Sequence, residues 1–276
     1  MDIHKYIGTF SLIKVIDFWS EALNRHVVLD IILPPGYNTS NRIYPLLLMN
    51  DGQDIDAVKL LHHLQHLTDT HHIDPPISIC IYAGNRKHEY GVASLADYKN
   101  RGNLASNYSK FVMSELMPYL FKKYRIDQVH PKNTLTGFSL GGLSAFDIAW
   151  HYSDVFKQVG VFSGAFWWRY KPVDVEDPDN HRIMHEVVRN TLHKPTLRFW
   201  FQSGLLDEAE DRNNNGVIDV IDDILDLCVE LVYKGFRPFH DFTYLEMPDG
   251  LHDTKTWAKA MPKFLVWAFG GNITET

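Results

Sequence analysis

Cysteine is nearly missing from this chain: Cys80 and Cys228 are the only two among 276 residues. That excludes a disulfide framework and leaves a buried core as the means of stability. Both cysteines sit in apolar surroundings, as small hydrophobes of a protein in the reducing cytoplasm do. No run of about 18 apolar residues occurs, the length that a membrane-spanning helix needs. The start, MDIHKYIGTFSLIKVIDFW, lacks the basic and then apolar pattern of a secretory leader, so the expectation is a soluble, unexported protein. Cationic residues are in short supply as well: 27 Lys and Arg stand against 34 Asp and Glu, for a formal charge of -7. With no basic cluster, neither nucleic acid nor an anionic membrane is the expected partner. Repeats, low-complexity tracts and linkers are absent, and one domain over residues 1–276 is expected. In the cytoplasm the triplets Asn107-Tyr108-Ser109 and Asn272-Ile273-Thr274 would carry no sugar.

What the chain does have is 45% hydrophobic residues, arranged in short strand-like runs that alternate with helix-length amphipathic segments. That rhythm predicts an α/β fold. SLIKVIDF and RHVVLDIILPPGY read as two early strands on an antiparallel edge, the second stopped by Pro34-Pro35-Gly36. YPLLLMNDG and ISICIYAGN are nearly unbroken apolar runs, the pattern of strands covered on both faces of a parallel sheet. NTLTGF, FKQVGVFSG, TLRFWFQSG and DFTYLEMP bring the count to about eight. Helices are predicted over Asp56 to His66, over SNYSKFVMSELMPYLFKKY and over TKTWAKAMPKFLVWAF, and they would cover both faces of the sheet.

In TLTGFSLGGLSAF the strand ends at Gly137-Phe138-Ser139-Leu140-Gly141 and a helix begins at once. This is the nucleophile-elbow pattern of the α/β-hydrolase fold, in which the turn is too tight for flanking side chains and the helix N-terminus aims its positive end at the serine. Such a serine needs an imidazole base, and the base needs an orienting carboxylate, in the chain order Ser, Asp or Glu, His. Asp207 follows the strand LRFWFQ, with Glu208 beside it as the alternative acid, and His252 follows the last strand. The oxyanion formed on attack calls for two N–H donors. Leu140 would supply one, and Gln53, in the MNDGQD turn, the other.

Other residues carry weaker signals. Arg86 and Glu89 of NRKHEY follow a central strand and suit either substrate contact or a structural ion pair. Phe166, Trp167 and Trp168 either wall a cleft for an aromatic or sugar group or belong to the core. His62 and His66 have zinc-like i, i+4 spacing, but no H-E-x-x-H pattern accompanies them, and a solvated helix face is the reading. In DRNNNGVIDVID, Asp211, Asn213, Asn215, Val217, Asp219 and Asp222 fall at the oxygen-ligand positions of an EF-hand-type loop around Gly216, so a structural Ca2+ is expected there. An Asp at the twelfth position is similar to the calcium loops of dockerin modules; the alternative is an Asx-turn cap on the next helix.

LPPGYN, YPLLLMNDGQD, NRKHEY, GFSLGG, FSGAFWW, GLLDE and LHDTKTW together resemble the putative-esterase family of the α/β-hydrolase superfamily. That family includes enterochelin (enterobactin) esterases and the feruloyl and acetylxylan esterases of carbohydrate esterase family one. The resemblance implies a Ser139, His252, Asp207 triad and an acyl-enzyme route needing no cofactor. It implies a small-molecule or carbohydrate ester as substrate, siderophore, feruloyl or acetyl-sugar. Before the histidine the family often has Gly-Gly or Gly-x-Gly, where this chain has Gly250-Leu251. The alternatives are a thioesterase or acyltransferase of the same fold, similar to S-formylglutathione hydrolase, and a non-catalytic carbohydrate- or calcium-binding module.

Overall fold

Five-residue strands with no polar face, such as LLLMN and ISICI, are satisfied only between two layers of helices. The computed structural model, which describes residues 2–7 and 9–271, has that arrangement. The Asn272 triplet lies outside the described residues. One nine-stranded sheet runs in the order β1 (Asp2–Ile7), β2 (Phe10–Ser20), β3 (Arg25–Leu33), β5 (Ile77–Ile81), β4 (Leu46–Asn50), β6 (Thr134–Phe138), β7 (Gln158–Phe162), β8 (Arg198–Leu206) and β9 (Phe242–Leu251). The β1·β2, β2·β3 and β3·β5 pairs are antiparallel and the other five are parallel, as the α/β-hydrolase reading requires. The strand beyond the expected eight is β1, which folds back on β2 with Asp2 opposite Val15 and Ile7 opposite Phe10.

The helices are α1 (Leu60–Asp69), α2 (Arg86–Glu89), α3 (Ala105–Lys110), α4 (Met117–Lys123), α5 (Leu140–His151), α6 (Ile183–Asn190), α7 (Asp219–Tyr233) and α8 (Thr254–Phe269). A wider π-type turn over Phe111–Leu116 joins α3 to α4. Pro118 follows it and has no N–H to give to the carbonyl four residues back. α1 starts later than the predicted Asp56, because Lys59 takes a left-handed conformation at φ 54° that no helix interior accepts.

Alternation along the strands sorts the core into two layers. Leu46, Leu48, Ile79, Leu135, Val159, Phe199 and Phe201 meet the helices on one face, whereas Leu47, Met49, Cys80, Phe138, Phe162 and Trp200 meet α1 and α8 on the other. Helix α5 lies so deep that ten of its twelve residues are buried. At Gly160 of β7 the Phe264 ring of α8 rests directly on the strand, and a Cβ there would fall inside its van der Waals envelope. Gly160→Ala should therefore cost about 2 kcal/mol of unfolding free energy through overpacking. Denaturant titration checks this, with the far-UV circular dichroism expected to stay native.

Candidate functional site

At the C-terminal ends of β4, β6, β7, β8 and β9 the chain turns sharply, and the candidate residues collect there. Ser139 follows β6 with φ 51° and ψ -118°, a strained backbone for a residue that carries a Cβ. The strain is held by packing. A Cβ on Gly137 would run into the backbone of Gly141, and one on Gly141 into the Asp51 carboxylate. Hydrogen bonds fix the rest: Ser139 N–H donates to Phe162 O (2.8 Å), while Ser139 O accepts from the N–H groups of Gly142, Leu143 and Ala165. The serine is half-buried at the head of α5, where the helix's unpaired N–H groups and positive end point at it.

Trp257, in the first turn of α8, joins the neighbouring strand ends. Its indole stacks on Phe138 at 4.7 Å and 15°, its Nε1–H donates to Ser163 Oγ (3.0 Å), and the His252 ring meets it edge-on at 5.4 Å. Ser163 follows β7 with its own positive φ of 45° and lies beside Asp207. The sequence reading named neither Ser163 nor Trp257. Both lie inside stretches that carry the family resemblance, FSGAFWW and LHDTKTW, without having been singled out there.

Asp207 is buried, and its Oδ2 accepts the Gly204 N–H at 3.3 Å. Burial raises its carboxyl above the usual range, against the opposing pull of Ser163, the Gly204 N–H and His252. His252 keeps an exposed edge, yet the protein around it desolvates the ring and holds its pKa below the usual value. Asp207 and Asp253 pull that value up, and Arg86 pushes it down. Asp207 and His252 thus stabilise each other's charged forms. Glu208, the alternative acid, instead accepts the Val220 N–H at 2.5 Å at the start of α7, and burial pushes its pKa up to about 7.

A model of the family described as "Putative esterase" matches residues 20–268. The chain belongs to that family. As a member it is a hydrolase of carboxylic esters. It is similar to the "Uncharacterized protein YbbA" of Bacillus subtilis, 25% identical over 264 residues that cover 91% of this chain and 95% of the relative. Among solved structures, a ferulic acid esterase superposes with a TM-score of 0.71 at 17% identity, covering 95% of this chain and 98% of the other. The enterobactin esterase FES of Shigella flexneri, solved in the presence of enterobactin, superposes at 0.72 and 20% identity over 93% of this chain and 58% of its own. At these identities the structural likeness speaks for the fold.

Not every candidate residue of this esterase reaches the site. Glu89 is buried with both oxygens on Arg25, Nε at 2.8 Å and Nη2 at 2.6 Å, and forms an ion pair there. Phe166 is fully buried against Phe146 and Phe201 and belongs to the core, as does Trp168. Trp167 is half-buried beneath the Arg101 guanidinium, 4.8 Å from the ring centre. Arg86 does border the site, paired with Asp51.

Around residues 211–222 the expected ligand residues are engaged with one another and with their own backbone. Asp211 accepts the N–H groups of Asn215 and Gly216, Asn213 and Asn215 each accept a backbone N–H two residues on, and both give their amide nitrogens to Asp222 Oδ2. Asp219 is taken by Arg212, whose side chain also pairs with Asp179 and the fully buried Asp223. Among the described residues no three His, Cys, Asp or Glu side chains converge as a metal site. Arg212 brings a positive charge to this loop, and Asn213 and Asn215 form Asx-type turns ahead of α7. Replacing Arg212 leaves Asp223 with Arg182 as its remaining ion-pair partner. Arg212→Met should therefore destabilise the fold by about 3 kcal/mol, near the lower end for breaking a buried pair. Calorimetry checks this.

Proposed function

We propose that this esterase works as a single domain through an acyl-enzyme, with Ser139 as nucleophile, His252 as base and Asp207 as the carboxylate that orients it. The observation that carries the reading is Asp207 Oδ1, a buried carboxylate oxygen with no hydrogen-bond partner among the described residues, in an acid electrostatically linked to His252. An orphaned buried acceptor is costly, and a ring N–H of His252 is the donor that would satisfy it. With that nitrogen engaged, the other takes the Ser139 hydroxyl proton as Oγ bonds to the ester carbonyl carbon.

The negative charge then moves to the carbonyl oxygen. Leu140 N–H, first in α5, and Gln53 N–H, in the 3-10 turn Gly52–Asp54, are the donors assigned to it; N–H groups in a first turn have no partner within their own helix. Collapse of the tetrahedral adduct breaks the ester C–O bond, and the imidazolium returns its proton to the departing alkoxide. Water repeats the sequence on the acyl-enzyme and frees the acid. Arg86 and the half-buried Trp167 are the side chains proposed to border the substrate. Feruloyl and siderophore trilactone esters, named for the structural relatives, belong in the substrate panel with acetyl-sugar and aryl esters. Two free, buried cysteines support a cytoplasmic setting.

Ser139→Ala should lower hydrolysis of activated esters by about 10⁴-fold or more, leaving what the oxyanion donors and binding alone provide. A fluorophosphonate should label wild type at Ser139 and nowhere else; peptide mapping reads this, and a different labelled serine would refute the assignment.

The pH dependence follows from the direction of the His252 shift. Only the neutral ring accepts the serine proton, so activity falls as pH drops through its pKa. Desolvation and Arg86 hold that pKa down against Asp207 and Asp253. The acid limb of kcat/KM should accordingly lie below pH 6.5, lower than an ordinary histidine would place it. A profile measured from pH 4 to 9 decides.

A further inference from the structure

The arginine at the rim of the site is built into it in a way that substrate contact does not require. Arg86 opens α2, and its fork reaches two separate segments of the chain, a carboxylate on one and a backbone carbonyl on the other. Nε donates to Asp51 Oδ1 at 2.8 Å and Nη2 to Asp51 Oδ2 at 3.1 Å, while the same Nη2 donates to the carbonyl of Phe138 at 2.9 Å. Asp51 immediately precedes the turn that holds Gln53, and Phe138 immediately precedes Ser139. One guanidinium therefore ties together the two segments that carry the oxyanion donors.

Everything around Asp51 is arranged to hold it there. Its carboxylate is buried, its backbone is left-handed at φ 61°, and its N–H donates to the hydroxyl of the fully buried Tyr90 at 3.1 Å. The carboxylate lies so close to Gly141 that no side chain fits there, which sets the turn against the start of α5. Gln53 adds a contact of its own, giving Nε2–H to Asp51 Oδ1 at 3.1 Å. One residue earlier, Asn50 donates to the Gly141 carbonyl at 2.8 Å and accepts the Tyr108 hydroxyl at 2.6 Å. An ion pair serving only stability would be satisfied by Asp51; the bond to the Phe138 carbonyl adds a geometric tie.

We propose that Arg86 is a positioning residue: its bidentate hold on Asp51 and its bond to the Phe138 carbonyl fix the spacing between the 51–53 turn and the nucleophile elbow, so that Gln53 N–H and Leu140 N–H converge on one oxygen. The proposal rests on the serine-esterase reading. Beyond bordering the substrate, Arg86 is assigned an effect on the transition state, read in kcat more than in KM for an uncharged ester. Lysine cannot replace it, because an ammonium makes point contacts where the fork makes parallel ones.

The test uses an uncharged aryl ester and the full chain of wild type, Arg86→Met, Arg86→Lys, Asp51→Asn and Arg86→Met/Asp51→Asn. Fluorophosphonate labelling counts competent Ser139, and melting curves show that each variant is folded. The expected result is a fall in kcat of about 10²-fold for Arg86→Met, the scale of losing one oxyanion donor, with KM within about threefold. Arg86→Lys should recover little. The double variant should be no slower than the worse single one, since both break the same tie. The acid limb of Arg86→Met should move to higher pH, because the groups facing His252 would then be the carboxylates of Asp207 and Asp253 alone. A folded, labelled Arg86→Met with wild-type kcat, a loss confined to KM or to anionic esters, or full rescue by lysine would each overturn the proposal. Absence of labelling and turnover in wild type would instead refute the esterase mechanism, and this proposal with it.

Discussion

The close approach of Gly137 to Gly141 is the constraint on which the rest of the site depends. It brings the end of a buried strand against the first turn of a buried helix with no atoms to spare, and the residue between them is left with a positive φ. Backbone strain of this kind costs on the order of 1–3 kcal/mol and persists only where the surroundings overdetermine it. Here the surroundings are the Ser139 carbonyl accepting three N–H groups, the Ser139 N–H bonded to β7, and Asp51 filling the space beside Gly141. The position of the half-buried serine follows from the packing of groups around the turn.

Burial then sets the electrostatics. The sheet beneath the site is apolar on both faces, so each ionisable group at its C-terminal rim is partly removed from water and its charge must be matched nearby. Asp51 with Arg86 solves that requirement locally, whereas burial shifts Asp207 and His252 each toward its neutral form and their mutual attraction offsets this only in part. Arg212 with Asp219 and Asp223 meets the requirement again at the start of α7. A loop whose spacing fits a divalent cation is held in this fold by a guanidinium and by its own amides.

How much of this was legible in the sequence depended on how local each cause is. The fully buried strands, the elbow and α8, which runs from Thr254 to Phe269 as read, announce themselves through periodicity and glycine placement. The β1 strand escaped notice because its pairing with β2 lies in a hairpin at the edge of the chain. Lys59 gives no sign of the left-handed conformation that delays α1. At the site, chain order pointed to Ser139, Asp207 and His252, but nothing in NRKHEY tells which charged residue reaches the rim. Arg86 does and Glu89 does not, a difference decided by Arg25, 64 positions away from Glu89. Phe166 and Trp167 are adjacent letters of similar chemistry, and only the surrounding packing makes one of them core and leaves the other half-buried.

Trp257 ties the elbow, the end of β7 and the candidate base to a single indole on the first turn of α8. That helix is the last element of the described chain, and its sheet-facing side packs on α1, β7, β8 and β9. If α8 detached, Phe138 and Ser163 would lose their shared neighbour and His252 would be left on an untethered loop, even with the sheet intact. The support of the candidate base therefore depends on how firmly α8 holds to the sheet, and a local opening of that helix would disturb the site without unfolding the strands beneath it.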